Sequence, residues 1–402
     1  MVEHTWRGLS MVLTVSAGVA ACTSVMQAQS QGAPSDTALV LQGGSWLDVR
    51  GGRLRPNGGI VVQGGRIVAL YPPGDGWGPP AGARVIGLEG RTVLPGFIDA
   101  HVHLTLAGDA DSNARATLAA GFTTVMDLGS ADGAGVRLRD AITRGETPGP
   151  RVIAAGSWIG TKGGVCEFGG ATVSNAVEAG DRARADIENG SDVLKVCVTG
   201  WPKDAVAFPD SVELKREGLA AVMEAARAAH RPVFAHAIGQ AGAVLAASQG
   251  VRALAHTPIV DSAGATALKQ SGIIVISTLA SLGPRPGGDQ VRRSFRLLFQ
   301  AGVPIVLGTD AGVLPHGQNA RELVALTEAG LSPAQALRAA TLDAAALLDV
   351  HEVGEIRVGG AGDLVVVEGD PLRDIQVIER PVLVVKGGRA TSPAELRAFP
   401  AR

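Results

Sequence analysis

Aromatic side chains are scarce in this chain of 402 residues: they make up 3% of it, and Tyr71 is the single tyrosine. Few rings are present for stacking on bases, and too few for a lipid-facing aromatic girdle. Charge of one sign is missing as well, since 36 Lys and Arg stand against 38 Asp and Glu and no long basic run occurs. Nucleic acid is therefore excluded as an expected partner. The apolar run near the N-terminus, Leu9 to Ala21, is too short to span a bilayer as a helix. Cysteine is limited to Cys22, Cys166 and Cys197. What the chain has in quantity is glycine, 55 residues, and a hydrophobic fraction of 46%. These suit a sizeable core built from short elements joined by tight turns.

The N-terminal run follows Arg7, has the length of a signal-peptide apolar region and ends in Val19-Ala20-Ala21-Cys22. Small residues before a cysteine resemble the lipobox of bacterial lipoproteins, in which the cysteine carries the lipid. The alternative is an ordinary signal peptide in which Cys22 is incidental. On the first reading residues 1–22 are a lipoprotein signal and residues 23–36 a polar linker with little to bury. The protein would then cross the inner membrane and remain as a periplasmic or outer-membrane-anchored lipoprotein. Thr23 stands where Asp would be the usual inner-membrane retention signal, which favours the outer membrane. In that oxidising compartment Cys166 and Cys197 form a disulfide or remain two buried thiols.

One pattern recurs along the chain: an Ala/Leu-rich helical segment, a glycine, then a short apolar strand. Gly121, Gly190, Gly250, Gly272 and Gly302 fall where a helix C-cap needs a left-handed residue. The strands that follow are continuous apolar runs, as in a parallel sheet covered on both faces. Candidate strands are Phe97–His103, Thr123–Gly129, Arg151–Gly156, Asp192–Val198, Pro232–Ile238, Ala253–Pro258, Ile273–Leu279 and Pro304–Asp310. Such a count predicts an α/β fold with a closed (β/α)8 barrel over residues 95–358. A doubly wound sheet would carry a Gly-rich phosphate loop after its first strand, and HVHLTLAGDA is not one. Residues 37–94 and 359–402 instead show short strands broken by Gly and Pro, predicting one small β-sandwich formed from both chain ends.

In LPGFIDAHVHL, Asp99, His101 and His103 share one strand face, with roughly 7 Å between successive same-face side chains. A single histidine there would ordinarily be a satisfied core residue. The other strand ends change its meaning, because Lys195 lies in the fourth strand, His236 and His256 end the fifth and sixth, and Asp310 ends the eighth. An ammonium inside an apolar strand is costly unless paired or chemically altered. Ionisable groups at the C-terminal ends of barrel strands mark the usual place of a barrel active site.

The order His-x-His, Lys, His, His, Asp, with the stretches LPGFIDAHVHL, ARATLAAGFTTVMDLG, GTDAG, ELVALTEAGLSPAQALRAATLDAAALL and GDLVVVEGDPLRDI, resembles the amidohydrolase superfamily, in its imidazolonepropionase-like and Xaa-Pro dipeptidase-like branch. The resemblance covers nearly the whole mature chain. It implies a first metal held by His101, His103 and Asp310, and a second held by His236 and His256. Lys195 would be carboxylated by CO2, and its carbamate would bridge two divalent ions, zinc or a similar metal. A hydroxide between the metals would attack the substrate carbonyl, with Asp310 as general base and then general acid. The deaminase-like branch lacks the lysine and carries His-x-x-Glu after the fifth strand; here that segment is His236-Ala237-Ile238-Gly239.

Further candidates are His316 and Glu167 as substrate contacts, each with a plain loop role as its alternative. Asp127 is either an acceptor orienting a ligand histidine or a turn cap. Arg285, Arg292 and Arg293 either meet an anionic substrate group or form an exposed helix face. The expected function is binuclear hydrolysis of an amide bond in a small molecule such as a dipeptide or N-acyl amino acid. The rivals are a mononuclear deaminase or imidazolonepropionase-like cyclic amide hydrolase, and a non-catalytic ligand-binding lipoprotein. A homo-oligomer is compatible with all three.

Overall fold

The computed structural model describes Met1, residues 37–74 and residues 76–399, so Cys22 and the 23–36 linker lie outside the described residues. Eight parallel strands form the central barrel. They are β1 (Phe97–Val102), β2 (Phe122–Asp127), β3 (Arg151–Thr161), β4 (Val193–Cys197), β5 (Val233–His236), β6 (Ala253–Leu254), β7 (Ile274–Ile276) and β8 (Ile305–Val306). They pair in sequence order, and the barrel closes between β8 and β1. At that seam Ala100 N donates to Leu307 O (3.0 Å), Asp310 N to His101 O (2.7 Å) and His103 N to Ala311 O (2.6 Å). Every residue of β1, β2, β4 and β5 is buried, which explains their continuous apolar runs.

The glycines expected to end helices do so: Gly121, Gly190, Gly250, Gly272 and Gly302 have φ of 91°, 88°, 84°, 71° and 76°. Helices cover the barrel with one apolar stripe each. In Arg216–Ala228, between β4 and β5, Leu219, Val222, Met223 and Ala226 are buried at the i, i+3, i+4, i+7 spacing.

Strand β3 departs from expectation by running five residues beyond Gly156, to Thr161. Gly156 is not a strand end but a close approach, since a Cβ there would lie 2.5 Å from the Asp186 carboxyl carbon. The pairing with β4 shifts register between Ala155 and Trp158, and a short strand, Thr172–Val173, pairs with Gly160 and Thr161. This bulged extension carries Trp158 to the barrel mouth.

Both chain ends meet in one sheet. Leu364–Glu368 runs antiparallel to Arg91–Pro95, with Val365 opposite Leu94 and Val366 opposite Val93. That sheet has six strands, and a second of four strands comes from residues 39–87. Leu41, Ile60, Val62 and Ile67 of the four-stranded sheet pack with Val93, Leu364, Val366 and Val385 of the other. Among the described residues no helix is long and apolar enough to cross a membrane.

Candidate active site and metal centre

Strand β1 carries His101 and His103, β4 carries Lys195 and β5 ends in His236. His256 follows β6 and Asp310 follows β8. The structure brings these six side chains together at one end of the barrel, each no more than 6% exposed. His101 Nε2 lies 3.3 Å from His103 Nε2 and 3.4 Å from Lys195 Nζ. Asp310 Oδ1 is 3.5 Å from His101 Nε2 and 3.3 Å from His103 Nε2. The rings of His236 and His256 are 4.6 Å apart, and those of His101 and His256 also 4.6 Å.

The outer hydrogen bonds determine what these imidazoles offer inward. His101 Nδ1 donates to Ala255 O (2.5 Å), His103 Nδ1 to Gly129 O (3.3 Å) and His236 Nε2 to Gly200 O (3.2 Å). His256 Nδ1 pairs with the Thr278 hydroxyl at 3.0 Å. The rings of His101, His103 and His236, each donating to a carbonyl, are thereby oriented with the second nitrogen as a lone pair. Two such lone pairs facing each other at 3.3 Å, beside a buried Asp310 Oδ2 with no hydrogen-bond partner, make a repulsive arrangement that a cation relieves. His101, His103 and Asp310 offer ligand atoms within 4.8 Å of one another. The donor set therefore fits a divalent metal.

Burial also keeps three of the imidazoles, His101, His236 and His256, neutral. It lowers His236 to about 4 and His101 and His256 well below the usual range, with Lys195 adding to the effect. Burial lowers Lys195 to about 7, with Asp310 opposing. A substantial fraction of that amine is uncharged at neutral pH.

Two buried acids hold the site from behind. Asp310 and Thr278 both adopt left-handed backbone, φ 57° and 52°, which costs a non-glycine residue on the order of 1 kcal/mol or more. Asp99 accepts from His101 N (3.1 Å), Thr309 N (3.0 Å), Thr309 Oγ1 (2.6 Å) and Asn319 Nδ2 (2.8 Å), tying β1 to the turn that aims Asp310. The shared face expected for Asp99 with His101 and His103 is thus not found. A register shift between Asp99 and Val102 interrupts the alternation. Glu322 accepts from Leu279 N (2.8 Å) and Ala280 N (2.7 Å), fixing the turn in which Thr278 meets His256.

Burial raises the Glu322 carboxyl from 4.5 to about 8. Between those values the folded protein keeps a proton that the unfolded chain has released, so this contribution to stability is full at low pH and lost as pH rises through 8. Glu322→Gln should flatten the fall in Tm with pH across that window. An unchanged slope in the variant would show that the carboxyl is not protonated there.

The remaining candidates are placed elsewhere. His316 lies behind His103: its Nε2 donates to His103 O (3.2 Å), its Nδ1 pairs with Thr117 Oγ1 (3.0 Å), and burial lowers it to about 4. Glu167 is exposed. Asp127 is buried at the end of β2, yet His103 uses the Gly129 carbonyl instead, and the nearby turn acceptor is Ser130, which takes Gly135 N at 2.9 Å. Arg292 bonds Asp289 on its own helix and Gly283 O at the end of the preceding one, and Arg285 bonds Ser281 O. Cys166 and Cys197 form a disulfide. Sequence reasoning missed Trp158, Phe168 and Trp201, which line a cavity of about 30 Å³ beside the cluster with Leu106, Val165, Cys166 and Val313. The one available signal was the concentration of scarce aromatics after the third and fourth strands.

The amidohydrolase family profile matches residues 92–391. The chain belongs to the amidohydrolase family. This amidohydrolase is 28% identical over 366 residues to the ochratoxinase of Aspergillus niger, covering 74% of this chain and 75% of that protein. It is 25% identical over 362 residues to the imidazolonepropionase of Salinispora arenicola, covering 78% and 86%. A crystal structure of a Xaa-Pro dipeptidase with bound methionine superposes with a TM-score of 0.81 at 27% identity, covering 89% of this chain and all of that one. Barrel, family and hydrolase relatives agree: the protein is a hydrolase of this family.

Proposed function

We propose that this amidohydrolase is a binuclear metal-dependent hydrolase of an amide bond in a small molecule such as a dipeptide or N-acyl amino acid. The observation that carries the reading is the group of four individually hydrogen-bonded imidazoles beside Lys195 and Asp310. His101, His103 and Asp310 would hold one ion, and His236 and His256 the other. Bound divalent ions, zinc being the expected pair, would supply Lewis acidity toward water and the substrate carbonyl. Lys195, as uncharged amine, would add to the carbon of CO2 and release one proton, giving a carbamate anion suited to divalent ions. The lowered Lys195 pKa supports this, because only the free amine reacts. Asp310 takes the proton of the attacking water and hands it to the leaving nitrogen. The likeness to a Xaa-Pro dipeptidase supports an amide substrate.

Metal analysis of the purified protein, with turnover of a dipeptide and N-acyl amino acid panel, tests this reading. It expects two divalent ions per chain and loss of turnover on chelation. One ion at full activity would overturn the binuclear reading. Full turnover by the metal-free protein would overturn metal dependence.

A further inference from the structure

The cavity beside the cluster has two chemically distinct sides. One is the cluster itself. The other is built from Trp158, Phe168, Trp201, Leu106, Val165 and Val313, and among the described lining residues it contains no charged side chain. Trp158 is buried, with its ring 5.4 Å from that of His103 and 5.0 Å from that of Phe168. Trp201 stands edge-on to His236 at 5.6 Å. Phe168 is 59% exposed, an apolar ring left at the rim of the cavity. A chain with 3% aromatic residues has placed three of them around one small space.

The Cys166–Cys197 disulfide ties this wall to the metal side. Cys197 lies on β4, two residues after Lys195, and Cys166 lies in the loop that carries Phe168. Trp158, Cys166 and Cys197 form an apolar cluster of their own with Leu106 and Val165. Two glycines permit the fit. A Cβ at Gly160 would lie 3.1 Å from Cys166 Cβ, and one at Gly169 would lie 2.4 Å from the Trp158 ring. The loop is thus packed closely on Trp158, with Phe168 tilted against its ring, and bonded covalently to the strand of Lys195.

We propose that this wall is a specificity subsite for an uncharged aromatic or branched aliphatic group adjoining the scissile amide, held in shape by the Cys166–Cys197 disulfide. The proposal rests on the hydrolase reading and adds the substrate class. An apolar group gains burial and ring contacts there. A carboxylate or ammonium in the same place loses hydration against Trp158 and Phe168 without a partner on that wall.

The test uses the metal-loaded enzyme and a matched series of N-acetyl amino acids that differ only in side chain: Phe, Leu, Ala, Glu and Lys. The Phe and Leu members should exceed Glu and Lys in kcat/KM by about a hundredfold. Phe168→Ala, a change at an exposed position, should raise KM for the Phe member about tenfold and leave the Ala member and the metal content unchanged, with Phe168→Leu recovering part of the loss. Cys166→Ser with Cys197→Ser should erode the same discrimination. Equal turnover of charged and apolar members, or a Phe168→Ala loss equal across the series, overturns the subsite while the hydrolase stands. If no member is turned over, calorimetry of free phenylalanine against glutamate and lysine decides the subsite. Preferential phenylalanine binding keeps it and sinks only the hydrolysis reading, and no preference overturns it.

Discussion

Asp310→Asn is expected to lower kcat by about a thousandfold or more with little change in fold. Asp310 Oδ1 sits within 3.5 Å of two histidine nitrogens, and its buried Oδ2 has no hydrogen-bond partner. That free oxygen is the group available to take and return a proton. Asparagine keeps the size and tolerates the left-handed backbone at φ 57° almost as readily as aspartate, so the turn after β8 is preserved. The amide has neither the negative charge nor the basicity. Rates under saturating substrate, with Tm and metal content on the same preparation, check the prediction. A variant that folds, binds metal and keeps kcat within tenfold of wild type would remove Asp310 from proton transfer.

Lys195→Ala should abolish measurable turnover and lower bound metal, with partial recovery on adding formate or acetate. The physical case begins with cost: Lys195 is 2% exposed in a strand whose neighbours are all buried, and a buried ammonium is unfavourable. Its charge also depresses the nearby imidazoles, so the cation gives the metal-free site no evident stability. A lysine kept for stability would pair with an acid at short range, whereas here Nζ meets His101 Nε2 at 3.4 Å. A carbamate role resolves this, because the modification replaces the cation by an anion suited to two metal ions. Short carboxylates diffusing into the space left by alanine would supply equivalent oxygens. As a control, metal-free Lys195→Met should be at least as thermostable as the metal-free wild type, since an apolar chain replaces a buried amine. Wild-type turnover in Lys195→Ala would refute the bridging role, and a large loss of stability in Lys195→Met would show that the lysine is structural.

The six clustered residues were legible because each signal is local. A two-residue period places His101 and His103 on one face, a lone lysine in an apolar strand stands out, and barrel strands end at the functional rim. The same logic failed where long-range partners intervene. Asp99 obeys the period on paper, but its carboxylate is claimed by Thr309 and Asn319, more than 200 residues away. Trp158 was unreadable as a site residue because β3 continues past Gly156 through a shifted pairing with β4, which sets Trp158 opposite Lys195, and through the later short strand Thr172–Val173. His316 sits in the expected loop after β8, yet its hydrogen bonds to Thr117 and His103 O turn it behind His103.

By itself the sequence determined the α/β barrel, the small sandwich joining both chain ends, and the identity of the six clustered side chains, since hydrophobic period, glycine caps and residue chemistry are carried by neighbours along the chain. Only the tertiary structure decided which nitrogen of each histidine faces inward, that Cys166 and Cys197 are bonded, and that Trp158, Phe168 and Trp201 share a wall. These depend on contacts across the closed barrel, between groups whose distance in sequence says nothing about their distance in space.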